Sequence, residues 1–522
     1  MKLEELCERG FALQEQGRLA EARDCYKKIL VRDPRHFGGL LLAAQVCVDA
    51  GQNELALTMA TRAVGAQPDH AGARSLVGEA QTAMGLLEDA VASFDRAVAL
   101  DPTLASAHNG RGLALQELDR AAEALASFDR AIALMPRAAA LHYNRGRALA
   151  HLYRLDEALR AYDMAAALDA LDPDIHNNKA QILNMLGRHA EAIDSLDKAI
   201  ATGPQNQAEY KYNKSFCLLA LGDFEQGWRL HEHRRGLKRP EPEFGRPLWL
   251  GQESVEGKTV LLHSEQGLGD TIQFIRYSRL VEARGARVKV LVQAPLKALL
   301  SQSGHEVFAW GEDCGHFDYR CPLMSLPHAL DTRLENVPGE TPYLSVSRER
   351  SEYWRTRFAA NGRKRVGLVW NGGFRPDQPE LHRLNARRNI PFSDMAKLNR
   401  EGMDFVSLQK GEPAESELRD ARHAIWPSDN LHDVSADLKD FSDTAAVIDN
   451  LDLVISVDTS VAHLAGAMGK PTWILVRYDG CWRWLMDRDD SPWYPTARLF
   501  RQSSFGDWSS ALEAVGRELM AL

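Results

Sequence analysis

Four short stretches in the second half of the chain concentrate residue types that handle protons and phosphates. In His263-Ser-Glu-Gln-Gly-Leu-Gly-Asp-Thr an apolar run passes through a glycine turn into a helical pattern. Gly267 and Gly269 permit a tight turn and a close backbone approach to a ligand, and Asp270 stands at the start of the expected helix. A carboxylate there also reads as an N-terminal cap. No Gly-Lys-Ser/Thr follows the glycines, which excludes a P-loop. The second stretch is Val369-Trp-Asn-Gly-Gly-Phe, with Trp370 and Asn371, followed by the basic loop His382-Arg-Leu-Asn-Ala-Arg-Arg-Asn-Ile-Pro. Arg383, Arg387 and Arg388 suit bidentate phosphate binding, or are solvated surface charges. The third, Ser407-Leu-Gln-Lys-Gly-Glu-Pro-Ala-Glu, carries Lys410 and Glu415. In the fourth, Asp458, Thr459 and Ser460 open a small-residue helix whose N–H groups suit a phosphate. His463 lies one turn inside that helix, as a ligand contact or a satisfied core histidine.

These stretches sit where short β-branched runs end. Thr259-Val-Leu-Leu-His, Val288-Lys-Val-Leu-Val, Val366-Gly-Leu-Val-Trp, Phe405-Val-Ser-Leu-Gln, Leu453-Val-Ile-Ser-Val and Thr472-Trp-Ile-Leu-Val read as buried strands. Helical patterns at 271–284, 442–450 and 460–468 alternate with them, which implies parallel sheets covered by helices. The length from Lys258 onward suffices for two Rossmann-like subdomains, 258–345 and 346–522. Ligands of doubly wound folds bind at the carboxyl ends of strands, where the four stretches fall.

The first half is periodic. Prolines stand at Pro34, Pro68, Pro102 and Pro136, each 34 residues after the last; the next step lands on Ala170 and the one after on Pro204. Eight residues earlier come Tyr26, Ala60, Phe94, Phe128, Tyr162 and Leu196. Twelve earlier comes alanine every time, at Ala22, Ala56, Ala90, Ala124, Ala158 and Ala192. Twenty-four earlier come Gly10, Ala44, Gly78, Gly112, Gly146 and Ala180. Small residues let paired helices approach, the aromatic fills the gap to the next repeat, and proline ends the second helix. This pattern resembles tetratricopeptide (TPR) repeats, six units and a degenerate seventh, as an α-helical solenoid over 1–235. Asn109, Asn144, Asn178 and Asn213 recur on first helices, where they hydrogen-bond an extended peptide in an acceptor groove or bond locally between helices. Charge and prolines then mark 236–257 as a linker or docking segment anchored by Trp249, and His231-Glu-His reads as a solvated helix end.

Bulk properties bound the function. With 522 residues the chain exceeds one core, and 45% hydrophobic with 26% charged residues is a globular composition. A net charge of −9 without a basic stripe argues against nucleic acid as a partner. No run is apolar enough for a membrane span, and the acidic N-terminus lacks a signal-peptide core, so a cytoplasmic protein is expected. Seven dispersed cysteines, with no Cys-x-x-Cys pair, read as free thiols and not as a zinc site.

Residues 258–505 resemble the heptosyltransferase-type glycosyltransferases, glycosyltransferase family 9, whose fold is the two-Rossmann GT-B pair. The resemblance places Asp270 on that family's catalytic aspartate and Arg388 on its basic donor-phosphate residue, with arginine in place of lysine. It places Glu415 on the ribose-binding glutamate, and Asp458-Thr459-Ser460-x-x-His463 on the Asp-Thr-Gly-x-x-His signature at the donor pyrophosphate, with Ser460 in place of glycine. The combination with repeats resembles bacterial repeat-containing glycosyltransferases, some of which modify flagellin. It implies inverting, metal-independent transfer from a nucleotide-sugar, with Asp270 taking the acceptor hydroxyl proton and Glu265 as the fallback base, Gly269, Trp370, Asn371 and Lys410 also on the donor side, and no cofactor. The nucleotide is left open among UDP, GDP, ADP and CMP. Two other readings remain: a glycan or lipid-linked acceptor, and an interaction scaffold with an inactive transferase domain.

Overall fold

The computed structural model describes residues 2–237, 242–358, 361–373 and 385–522. The chain forms two compact units, Met1–Leu183 with Asp194–Gln205, and Asn184–Ile193 with Asn206–Leu522.

The first unit is a stack of helical hairpins. First helices such as Ala71–Ala83 and Ala105–Glu117 have 13 residues, and second helices such as Leu87–Leu100 and Ala121–Leu134 have 14. Every alanine twelve before the repeat proline is 0% exposed, which is why none is larger. The glycine–aromatic spacing has a steric cause. A Cβ on Gly10 would stand 2.5 Å from the Tyr26 ring, on Gly78 2.9 Å from Phe94, on Gly112 2.5 Å from Phe128 and on Gly146 2.8 Å from Tyr162. Phe94 also presses on Gly110 of the next repeat. The Nε2 atoms of His108, His142 and His176 meet the carbonyls of Pro102, Pro136 and Ala170 at 3.1, 2.9 and 2.9 Å. The carbonyl rather than the ring is what the next helix uses, so the repeat survives the loss of proline at Ala170.

Besides Asn184–Ile193, the second unit contains one more hairpin, Gln207–Ala220 and Phe224–His231, extended by a 3-10 turn at Glu232–Arg234. The sequence pattern groups this pair with the solenoid, but its side chains belong to the core beneath the sheets. Trp228 is 1% exposed and meets Phe274, Trp482 and Trp493 at ring distances of 5.8, 5.1 and 6.5 Å. His231 is not a solvated helix end: it is 0% exposed, 3.1 Å from Ser215 Oγ, and flanked by Tyr212, Phe216 and Trp482. Trp249 is likewise buried, and its backbone N–H donates to the Arg320 carbonyl at 2.9 Å.

Among the described residues ten strands follow: β1 Thr259–His263, β2 Arg287–Val292, β3 Glu306–Ala309, β4 Tyr319–Pro322, β5 Lys364–Val369, β6 Met403–Ser407, β7 Leu431–Asp433, β8 Leu453–Val457, β9 Thr472–Val476 and β10 Ala497–Arg501. They form two parallel sheets, ordered β3-β2-β1-β4 and β10-β9-β8-β5-β6-β7. Both are doubly wound, and the strand order reverses between β1 and β4 and between β5 and β8. Strands β6, β8 and β9 are buried throughout, as parallel strands covered on both faces must be. The α-helical array followed by an α/β pair of sheets is the fold class that the sequence implies. One buried cluster joins Val260 and Leu262 of the first sheet to Val369 and Val454 of the second.

Two stability measurements follow from this packing. Gly110→Ala forces a methyl into Phe94 and is expected to cost about 1–3 kcal/mol, whereas Gly65→Ala meets nothing within 4 Å and gains about 0.5–1 kcal/mol of helix propensity. Thermal unfolding of the two variants should move in opposite directions. A fragment 206–522 is expected to unfold cooperatively. A fragment 236–522 lacks Trp228 and should melt about 10 °C lower or without a sharp transition.

Candidate functional site

The two reversal points bring the chemistry-bearing loops together. After β1 the chain turns through Gly267 into the helix Leu268–Phe274; after β8 it turns through Thr459 into the helix Ser460–Ala467. The helices touch at their starts. A Cβ on Gly269 would lie 2.9 Å from His463 Cδ2 and 3.5 Å from Ser460 Cα, so only glycine admits this approach.

Asp270 is engaged on both oxygens. Oδ2 accepts the Gly267 N–H at 2.7 Å, the capping geometry, and Oδ1 pairs with the Arg483 guanidinium. Arg483 also donates to Gln273 Oε1 at 2.7 Å and to Cys481 Sγ at 3.1 Å, and lies over the Trp482 ring. Burial opposes its charge, but the Cys481 sulfur and the Asp270 carboxylate outweigh burial and push the guanidinium pKa up. Asp270 keeps 19% of its side chain exposed, so the carboxylate is held yet reachable. Glu265, two residues beyond β1, accepts from Arg234 Nε at 2.5 Å. Burial raises the Glu265 pKa, against the lowering effect of Arg234. Its side chain keeps 21% exposure, so it too is held yet reachable.

At the second reversal point, Gln409 clamps the end of β5. Its Oε1 accepts the N–H groups of Trp370 and Asn371 at 3.2 and 3.1 Å, and its Nε2 donates to the Asn371 carbonyl at 2.9 Å. Asn371 is 6% exposed, and its Oδ1 has no hydrogen-bond partner among the described residues. Trp370 differs from the donor-side expectation: it is fully buried against Phe392, so its side chain supports the loop from the core. Arg388 crosses from β5 to β8, packed over Gly372, and donates to the Asp458 carbonyl at 2.9 Å. Arg387 instead pairs with Asp479, and Arg383 lies outside the described residues. Thr459 Oγ1 is 3.0 Å from Ser456 Oγ at the helix start.

His463 is a buried neutral imidazole. Burial lowers its pKa to about 3, its Nδ1 is 2.9 Å from the Tyr494 hydroxyl, and it stacks on Trp484. Its Nε2 faces Asp458 Oδ1 at 3.8 Å. Lys410 and Glu415 stand apart from this seam: Lys410 donates to the Ser435 carbonyl at 2.8 Å, and Glu415 accepts the Gly411 N–H at 2.7 Å. A cavity of about 660 Å³ opens between Ala386–Arg400 and the C-terminal helix Ser509–Leu519, and none of the crevice carboxylates lines it. Among the described residues no three His, Cys, Asp or Glu side chains gather as a metal site, and no helix is long and apolar enough to cross a membrane.

The repeat asparagines bond sideways. Asn144 Nδ2 donates to Asn109 Oδ1 at 3.0 Å, and Asn178 Nδ2 donates to the Tyr143 hydroxyl at 2.8 Å. Asn213 lies on the Gln207–Ala220 helix of the second unit, half-buried. Sequence reasoning missed Arg483, Gln273, Gln409 and Arg234. The Trp-rich stretch around Cys481 signalled the first, and Gln273 is one helical turn from Asp270.

Comparison with known proteins agrees with this architecture. Tetratricopeptide repeat models match residues 3–36, 78–119, 109–174 and 154–207, and the glycosyltransferase family 9 (heptosyltransferase) model matches 406–476. The chain carries TPR repeats and a glycosyltransferase family 9 domain. The matched stretch holds Lys410, Glu415 and Asp458–His463, whereas Asp270 lies before it. Protein FlbA of Caulobacter vibrioides is 28% identical over 349 residues, which cover 60% of this chain and 56% of that protein. The match thus spans about half the length of that relative. Among solved structures, a thermophilic TPR protein of Thermus thermophilus is 25% identical over 35% of this chain and 99% of its own, with a TM-score of 0.32. YrrB, described as a TPR protein with an unusual peptide-binding site, is 21% identical over 34% and 93%, with a TM-score of 0.30.

The neutrality of His463 has a pH signature. Its ordinary value is 6.5 and its folded value about 3, so the unfolded chain takes up a proton that the fold refuses. The stabilisation is complete above pH 6.5 and is lost as pH falls toward 3, by up to about 1.4 kcal/mol per pH unit. Urea midpoints of the wild type and His463→Gln should therefore converge between pH 7 and pH 5. A constant gap would mean that the imidazole takes up its proton as readily in the fold as in the unfolded chain, and a widening gap that it is charged in the fold.

Proposed function

We propose that this chain transfers a sugar from a nucleotide-sugar to a protein acceptor, with inversion and without a metal. The observation that carries the reading is the seam at Gly269, where the Asp270 loop of one doubly wound sheet meets the Asp458–Ser460 helix start of the other. Such reversal points are where these folds hold ligands, and the family 9 match covers the β8 side of the second, with the Asp458–His463 turn.

In this mechanism the donor diphosphate lies against the N–H groups of Thr459 and Ser460, with Arg388 beside them. The unpartnered Asn371 Oδ1 accepts a hydroxyl or amino hydrogen of the donor. Lys410 and Glu415 reach the nucleoside end. His463 positions the helix start and Asp458 as a neutral ring. Asp270 takes the acceptor hydroxyl proton while the acceptor oxygen attacks the anomeric carbon; the bond from that carbon to the diphosphate oxygen breaks, and the nucleoside diphosphate leaves. Arg483 holds Asp270 in place, and its charge also faces the diphosphate leaving across the seam. Glu265, ion-paired to Arg234 as Asp270 is to Arg483, is the fallback base in this reading.

A helical array of the tetratricopeptide type offers an extended surface for a polypeptide, which favours a protein acceptor, with flagellin the acceptor to test. The experiment is intact-mass analysis of flagellin co-expressed with this chain and a sugar-nucleotide pathway. A sugar-sized increase is expected with the wild type, and none with Asp270→Ala. Arg388→Ala should slow transfer about 100-fold or more. An increase that survives Asp270→Ala would remove Asp270 as the base. No increase despite flagellin binding would point to a glycan or lipid-linked acceptor, or to an inactive domain.

A further inference from the structure

The crevice at the reversal point of the first sheet is occupied by the chain itself. β1 and β4 are neighbours there, and Arg234 lies across their carboxyl ends. Its Nε donates to Glu265, two residues after β1, at 2.5 Å; its second terminal nitrogen donates to Ser325 Oγ, three residues after β4, at 2.8 Å. The remaining nitrogen donates to Glu232 Oε1 at 2.7 Å and to the His231 carbonyl at 3.1 Å. Ser325 closes the ring by donating to Glu232 Oε2 at 3.0 Å. The Arg234 side chain is 4% exposed and every nitrogen is used. A second tie runs alongside: the Tyr212 hydroxyl, from the helix Gln207–Ala220, hydrogen-bonds the Gln266 side chain.

Glu265 and Gln266 belong to the loop that ends at Asp270. The hairpin and its terminal turn, Gln207–Arg234, thus grip one end of that loop, and Arg483, after β9, grips the other through Asp270. A planar fork that touches two carboxylates and a hydroxyl fixes orientation as well as distance, which a lysine in its place cannot do.

We propose that Arg234 is a positioning residue for the transfer reaction, holding the Glu265–Asp270 loop so that Asp270 meets the acceptor hydroxyl. The hairpin after the sixth repeat is then a fixed part of the catalytic unit and not the end of a detachable binding array. This rests on the reading of Asp270 as the base.

The test uses the full-length chain and hydrogen exchange, with no donor or acceptor added, so it stands whether or not flagellin proves to be the substrate. In Arg234→Gln, amides within 264–274 are expected to exchange at least tenfold faster than in the wild type. Those of β6 and β9 should stay within twofold, and Arg234→Lys should recover part of the protection. Unchanged exchange at 264–274, or faster exchange spread evenly over the unit, would overturn the proposal. Should Arg234→Gln fail to fold, Ser325→Ala and Glu265→Gln, which cut single arms of the fork, are read by the same criterion. Where transfer is measurable, Arg234→Lys should lower kcat at least tenfold with the acceptor KM within twofold. A loss confined to KM would assign the hairpin to acceptor capture instead.

Discussion

Everything at the crevice depends on how closely two helix starts approach each other. The distance is set at Gly269, whose missing side chain leaves room for His463 and the Ser460 backbone. Any Cβ there would separate the Asp270 loop from the Asp458 turn and open the seam on which the proposed chemistry relies. His463 is the other half of the contact, and its burial explains its neutrality. A protonated ring would be desolvated between Trp484, Tyr494 and the facing helix, with Arg276, Arg388 and Arg483 adding repulsion. Asp458 at 3.8 Å is too weak a counterweight.

Around that contact the second unit is tied by buried arginines. Arg276 donates to the Trp493 and Pro338 carbonyls at 2.6 and 3.0 Å and to the Tyr343 hydroxyl at 2.8 Å, between the rings of Tyr343 and Tyr494. Arg234 and Arg483 close comparable networks on carboxylates. Removing a partner from such a network leaves an uncompensated charge, at about 3–5 kcal/mol, so these groups specify arrangement more than they add net stability. Each joins segments that no local interaction would bring together, and so decides where the loops between strands stop.

The helical repeats obey a simpler rule. In four of the hairpins one aromatic ring fills the space left by a glycine of the same hairpin, and in one case also by a glycine of the next. Alanines with no exposed surface set the helix spacing. Side chains that look available in a linear pattern, such as Asn109, Asn144 and Asn178, are partly spent on neighbours within the stack.

The sequence by itself determined what is local or periodic. The step of 34 residues, the glycine–aromatic pairs and the inner strands are legible because each is enforced by near neighbours or by burial on both faces. The four strands that escape a linear reading, β3, β4, β7 and β10, are the four sheet edges. Three of them have only three or four residues, and edge strands need no unbroken apolar run. Trp370 looked like a ligand contact because it follows a strand; only packing against Phe392 turns it inward. Tertiary structure alone decided that the last hairpin belongs with the sheets, that Arg234 meets Glu265 and Ser325 across 31 and 91 residues, and that Arg483 meets Asp270 across 213. A charged residue carries no mark of its partner in a linear pattern. Its partner is chosen when burial leaves the charge a single place where its hydrogen bonds are met.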